Sequence, residues 1–458
     1  MKMLYNLYKH SPVWVQNVMC TLSGYKEKKI RFGNGFLEYY NFLKQSEWYD
    51  EQTILDYQLN QLKSIVNYCY ENVPYYTNLF DAINLSPSDI NRIGDLSKIP
   101  ILTKEMIREN YHSLVNPNFK KPIIKMHTSG STGKALDFIF SKEAVKYRWA
   151  LWFRHKNRFG VHPNDSYATF TGLVVVPIAQ NKPPYWRQNK ASKQTIFTMH
   201  HISKDKVPAI VDKLNKGGIT YYSGYPSILY SLAILIEELG LQITNSPKVI
   251  FTGAEMLLDS QRKKISEIFN CLVTDQYGFS EGCGNASRCE YDNYHEDFEY
   301  GILECGKEDI SEHTINTGKI LATGFTNLAM PFLRYDVGDT ATWVNEKCKC
   351  GRQSKVIREI NGRNEDFVIT PEGNKILRFD YIFKDAINVV EAQIVQKELG
   401  EVIIRIVKRK SYTKKDEILL ETELHNKVSP KIKVLFEYVD EIEREITGKF
   451  RAVKSYLK

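Results

Sequence analysis

The sequence predicts a large N-terminal α/β domain, with parallel sheets flanked by helices, followed by a small mobile α+β domain. Three observations carry that expectation. The chain has 458 residues, a length that favours two or three domains. Lys248–Phe251, Asp259–Phe269 and Leu272–Thr274 read as strand, helix and strand, a βαβ unit whose strands must lie parallel under a covering helix. After about residue 366 the pattern changes: Glu391–Gln396 and Val402–Val407 alternate like strands about a Leu399-Gly400 turn. The expected domains are residues 1–365, including a helical N-terminal extension over 1–75, and residues 366–458.

The elements follow in order. Leu55, Leu59, Leu62, Val66 and Cys69 recur at helical spacing, and Pro74 closes that run. Pro122–Met126 reads as a strand leading into a glycine-rich turn, and a helix is expected from about Ser141 to Asn157. Residues 219–222 read as a strand and Pro226–Glu238 as a helix. Thr314–Val344 is mostly β, Lys415–Asn426 helical and Lys433–Tyr438 β.

Composition excludes several classes. Hydrophobic residues make up 43% and charged residues 25%, as in ordinary globular proteins. The net charge of +8 is spread along the chain, and no recognition motif or basic stripe marks a nucleic-acid partner. The longest apolar runs, such as Leu173–Ala179, are far too short to span a membrane. The N-terminal stretch is broken by Asn6, His10 and Gln16, so it is no signal peptide, although an amphipathic helix there allows peripheral membrane contact. Eight cysteines in this length make no disulfide framework, and a cytoplasmic protein with reduced thiols is expected.

His127-Thr-Ser-Gly-Ser-Thr-Gly-Lys134 sets two glycines, four hydroxyls and a lysine after a strand. Glycines let the backbone approach an anion, backbone N–H groups form a concave anion site, and hydroxyls add donors. The spacing is not that of the common G-x-x-x-x-G-K-[ST] nucleotide loop. Thr252-Gly-Ala-Glu255, Asp275-Gln-Tyr-Gly-Phe-Ser-Glu281, Arg334-Tyr-Asp-Val-Gly-Asp339, Gly362-Arg-Asn-Glu-Asp366 and Ile446-Thr-Gly-Lys-Phe-Arg451 accompany it. Taken singly, each is compatible with a strand-end turn or a solvated tail.

In order and spacing these segments resemble the adenylate-forming superfamily of acyl-CoA synthetases, luciferases and peptide-synthetase adenylation domains. The likeness is nearest to the phenylacetate–CoA ligase family, in its branch associated with capsular polysaccharide biosynthesis (CapK-like). Arg31-Phe-Gly33, Tyr57-Gln58, Asn72-Val-Pro-Tyr-Tyr76 and Gly224-Tyr-Pro-Ser227 carry the branch. The resemblance implies that Thr128, Ser129, Gly130, Ser131, Thr132, Gly133 and Lys134 hold the β- and γ-phosphates of ATP. It implies that Gly253, Ala254 and Glu255 flank the adenine with Tyr277 stacked nearby, and that Glu281 binds Mg²⁺. Asp339 would take the ribose hydroxyls with help from Arg363, Asp366 would be the hinge, and Lys449 the catalytic lysine.

The implied reaction joins a carboxylic acid to AMP with release of pyrophosphate, then moves the acyl group to an acceptor. Coenzyme A is the default acceptor; an amino sugar or carrier of polysaccharide biosynthesis is the alternative. A non-catalytic protein on the same scaffold is a further alternative, against which Lys134, Glu281, Asp339, Arg363 and Lys449 argue.

Cys289, His295, Cys348 and Cys350 form a separate group. Three thiolates and an imidazole make a complete tetrahedral set for a structural Zn²⁺ with no open position. Four ordinary side chains are the alternative, and Cys283 and Cys305 are spare ligands. For the acid pocket the expected residues are Tyr222, Tyr225, Gly278, Phe279 and His201, which could equally be core.

Overall fold

In the computed structural model, residues 7–127, 136–306, 315–363, 368–371, 375–376, 388–427, 429–444 and 450–457 are described, with backbone only for 361–363, 375–376 and 426–427. The apolar periodicity of the N-terminal region folds as α1 (Val13–Phe32), α2 (Phe36–Ser46), α3 (Glu51–Asn72) and α4 (Pro74–Ala82). Asp50 starts α3 by accepting the Thr53 N–H at 2.8 Å. Pro74 ends α3 as expected, yet it also opens α4, because the first helical position needs no N–H. Helix therefore continues to Ala82, past residue 75.

These helices are not an appendage. Leu62, Val66 and Cys69 of α3 are fully buried in one core with Leu303, Ile320 and Tyr335 from much later in the chain. Just after α2, Glu47 accepts from Arg352 Nη2 at 2.9 Å. Short helices α5 (Lys104–Glu109) and α6 (Tyr111–Leu114) lead to an antiparallel ribbon of β1 (Ile123–His127) and β2 (Asp137–Ser141). Ser141 then caps α7 (Lys142–Arg158) by accepting the Ala144 N–H at 3.0 Å.

The βαβ pattern extends further than the sequence suggested. It comprises β3 (Tyr167–Thr171), β4 (Trp186–Asn189), β5 (Gln194–Thr198), α8 (Val207–Asn215), β6 (Tyr221–Gly224), α9 (Pro226–Glu238), β7 (Val249–Thr252), α10 (Asp259–Phe269) and β8 (Leu272–Gly278). Strands β5, β3, β6, β7 and β8 are parallel neighbours. Gly224 permits the close fit of β6 on β3: a Cβ there would lie 2.8 Å from the Phe170 Cβ and carbonyl oxygen.

The expected parallel sheet is half of a larger mixed one. From β8 the sheet continues antiparallel through β9 (Asn285–Arg288) and β10 (Tyr294–Glu296), and ends on β11 (Gly301–Gly306), β12 (Ile315–Gly324), β13 (Tyr335–Val344) and β14 (Val356–Arg363). The 12-strand order is β11-β12-β13-β14-β10-β9-β8-β7-β6-β3-β5-β4. Asp275 of β8 fastens the junction, accepting from Tyr294 Oη at 2.5 Å and pairing with Arg288 at 2.7 Å.

The C-terminal part has its own sheet and core. After the short pair β15 (Val368–Ile369) and β16 (Lys375–Ile376) come β17 (Val389–Gln396), β18 (Glu401–Lys408), α11 (Lys414–Lys427), β19 (Lys433–Tyr438) and β20 (Val453–Ser455). The sheet order is β19-β18-β17-β20, and Leu420 and Leu424 of α11 are buried with Ile394, Ile404 and Ile406. Among the described residues, no helix is long and apolar enough to cross a membrane.

Candidate active site and metal centre

Three parallel strands end side by side: β6 at Gly224-Tyr225, β7 at Thr252-Gly-Ala-Glu255 and β8 at Tyr277-Gly278. Open α/β sheets bind ligands outside such carboxyl ends. Ala254 sits at φ +67°, a left-handed conformation that costs an alanine about 1–3 kcal/mol and persists where surroundings impose it. Glu255 is held from two sides. Its Oε2 accepts the Ser227 N–H at the start of α9 at 3.2 Å, and its Oε1 accepts the Phe450 N–H at 2.6 Å. Burial raises the Glu255 carboxyl pKa, and these two N–H groups oppose the rise.

Two tyrosine–carboxylate pairs stand beside this edge. Tyr277 Oη donates to Asp339 Oδ2 at 2.6 Å, and Tyr335 Oη donates to Glu281 Oε1 at 2.7 Å. Burial and the adjoining carboxylate hold both phenols far above their ordinary pKa, so each remains a donor. The β13–β14 pairing, which shifts register between Asp339 and Ala341, sets Asp339 opposite Arg363. Thus Glu255, Tyr277, Glu281 and Asp339 come to one edge, with Ala254 in its turn. Tyr277 meets Asp339 through its hydroxyl, a contact the sequence did not suggest.

Thr128, Ser129, Gly130, Ser131, Thr132, Gly133, Lys134, Asp366 and Lys449 lie outside the described residues, as does the Arg363 side chain. Their described neighbours are informative. Phe450 follows Lys449 in sequence and sits on Glu255. Ser231 Oγ of α9 donates to Glu391 at 3.3 Å, and Arg444 pairs with the same carboxylate. The C-terminal unit therefore rests against the α9 end of the site.

Two expected acid-pocket residues are core instead. Tyr222 is 1% exposed, and its ring lies 5.7 Å from both Phe170 and Phe269. Strand alternation sends it to the sheet face opposite Tyr221 and Ser223. His201 is fully buried, its Nδ1 3.1 Å from Thr198 Oγ1 and its ring stacked on Tyr185. Burial lowers its pKa. Tyr225 and Gly278 do stand at the strand ends, whereas Phe279 packs against Tyr277. Sequence reasoning missed a cavity of about 490 Å³ on the Tyr221 face; the Tyr221/Ser223 alternation was its available signal.

Cys289, His295, Cys348 and Cys350 converge, with one donor atom from each inside a 4.8 Å span. Cys289 Sγ and Cys348 Sγ are 3.7 Å apart, and Cys350 Sγ is 3.2 Å from His295 Nε2. Tetrahedral coordination with metal–sulfur bonds near 2.3 Å requires about 3.8 Å between sulfurs, so the set fits one ion. The backing suits a metal too: the Tyr291 N–H points to Cys289 Sγ at 3.4 Å, and His295 Nδ1 lies 3.4 Å from the Ser354 carbonyl. Burial pushes the Cys289 thiol up to about 12, a proton that ion binding would displace. Cys283 and Cys305 are not part of this cluster.

A family model described as the CapK C-terminal domain matches residues 368–456. Protein CapK of Staphylococcus aureus is 28% identical over 464 residues, covering all of both chains. The chain is thus similar to CapK along its whole length, and its C-terminal part matches the CapK family model. Phenylacetate-coenzyme A ligase of Thermus thermophilus is 26% identical over 338 residues, or 68% of this chain and 71% of that one. The CapK-like fold extends to solved structures. A 2-hydroxyisobutyryl-CoA ligase in its postadenylation state superposes with a TM-score of 0.70 at 17% identity, covering 90% of this chain and 91% of that one. The same ligase in its thioesterification state gives 0.55.

Proposed function

We propose that this CapK-like chain activates a carboxylic acid with ATP, forms acyl-AMP and pyrophosphate, and then transfers the acyl group. The observation that carries the reading is the seating of Phe450 on Glu255. It brings the backbone next to Lys449 to the edge where Tyr277–Asp339 and Tyr335–Glu281 stand. In this reading the Thr128–Lys134 segment holds the phosphates, and Asp339 accepts from the ribose hydroxyls. Glu281 is the Mg²⁺ ligand, one carboxylate sufficing because Mg²⁺ keeps waters. Lys449 offsets the charge that grows on the α-phosphate, usually the largest catalytic term.

The domains divide at residues 365/366 with Asp366 as the hinge, and the Cys289–Cys350 group holds a structural zinc. Coenzyme A is the default acceptor. A sugar amine or carrier thiol is the alternative acceptor. ATP–pyrophosphate exchange across a panel of acids tests the reaction. Activity must yield AMP and pyrophosphate; ADP and phosphate as products would refute it.

A further inference from the structure

The cavity of about 490 Å³ has β3 and β6 as its floor and α1 and α7 as its walls. Its lining includes five cationic side chains, Lys28, Arg31, Lys156, Lys190 and Lys193, and no acidic residue. Two of the cations are occupied: Lys28 Nζ donates to the Ala191 carbonyl at 3.1 Å, and Arg31 pairs with Glu27. Lys156 is different. Its ammonium lies 4.7 Å from the Phe153 ring centroid and 5.0 Å from that of Tyr221. Burial, with Arg31 nearby, lowers its pKa to about 7, and no acidic group offsets the shift. Lys190 and Lys193 are exposed at the mouth. Aromatic walls with an ammonium held among them make a receptor for an anion on a flat body.

Strand register places this cavity relative to the adenylating edge. Ser223 lines it and pairs with Phe251. Ser223 is the last residue but one of β6, so one end of the cavity borders the strand ends, and the lining runs from there toward the amino ends at Tyr167, Gln194 and Tyr221, on the face that Tyr222 does not share.

We infer that this cavity receives the far end of the acid that the adenylating edge activates, and that this acid carries a second anionic group on a flat or aromatic body. The inference rests on the adenylation reading for its first half. The carboxylate to be activated stays at the strand ends. The distal anion meets Lys156, and the rings of Trp149, Phe153, Tyr167 and Tyr221 enclose the body between them.

Phenylacetate and 4-carboxyphenylacetate, which differ by one carboxylate, are the probes. Calorimetric titration of the full chain should show the dianion binding at least about tenfold more tightly, the worth of one charge-assisted contact. Lys156→Met should remove most of that gap. Lys190→Glu, on an exposed residue that cannot compromise folding, should narrow it by a smaller factor. Equal affinities, tighter phenylacetate binding, or a gap unchanged in both variants would overturn the inference. The two readings separate in ATP–pyrophosphate exchange. Exchange with single-carboxylate acids alone sinks the dianion and leaves adenylation standing. Exchange with no acid, beside selective dianion binding, sinks adenylation and leaves the anion preference.

Discussion

The Phe450 N–H donates to Glu255 Oε1 at 2.6 Å, joining the residue after Lys449 to the turn that ends β7. One hydrogen bond thus links the C-terminal unit to the sheet edge where the nucleotide is proposed to lie, and it dictates the first prediction. Lys449→Ala should slow acyl-AMP formation by about 10²–10³, the usual cost of one lost transition-state contact. Given pre-made acyl-AMP and acceptor, the same variant should form product at near the parent rate. Glu255→Ala should slow the first half-reaction by a smaller factor, about tenfold for one lost charge-assisted bond. Asp366→Pro should spare the first step and slow the second, because a fixed φ obstructs rotation. Rapid-quench assays of each half-reaction decide; an unchanged adenylation rate in Lys449→Ala removes that lysine from the mechanism.

Metal analysis should find about one zinc per chain in protein purified without a metal-affinity column. Cys350→Ser should lower zinc content and the thermal midpoint together, since metal binding is folding energy. Full zinc retention in the Cys348→Ser/Cys350→Ser double variant would assign the ion elsewhere.

Ala254→Gly should raise stability by about 1 kcal/mol, because glycine adopts φ +67° without the alanine penalty. Urea unfolding measures it. If the strained turn fixes the Glu255 position, the same variant exchanges pyrophosphate more slowly.

Lys156 predicts a pH signature. Its folded pKa of about 7 lies below the ordinary lysine value, so its folded form releases a proton that the unfolded chain still holds. The unfolded state then binds more protons between pH 7 and the ordinary lysine pKa, and stability rises with pH there by up to about 1.4 kcal/mol per unit. Below pH 7 both states are protonated and the buried charge costs its full amount. Tyr167 and Tyr221 beside it do not titrate in this window, because burial raises their pKa values. The midpoint difference between parent and Lys156→Met should therefore shift in favour of the parent from pH 7 to pH 9. A flat difference contradicts it.

Much of this architecture was legible from residues alone. The βαβ run from Lys248 to Thr274 and the change of pattern near residue 366 follow from periodicities of 3.6 and 2, which local burial imposes. The cysteine–histidine set was legible because Cys348-Lys-Cys-Gly-Arg352 is polar and turn-like, a poor place for thiols that serve only as packing. Tyr222 was misplaced for a physical reason: β6 is four residues long, and so short a strand has two apolar faces to choose between. His201 was misplaced because a buried imidazole whose Nδ1 meets Thr198 looks the same in sequence as a ligand-facing one. The Tyr277–Asp339 bond spans 62 residues and joins strands whose neighbourhood only the assembled sheet defines.

The bond between Glu47 and Arg352 bridges 305 residues. At about 5–20 residues per second, a ribosome needs roughly 15–60 s to travel that distance. Throughout that interval the first helices lack the last of their partners. Arg154 and Arg158 reach Glu47 sooner, but the apolar core that buries Leu62, Val66 and Cys69 with Tyr335 closes only late, and until then the nascent protein has an open apolar groove to shield.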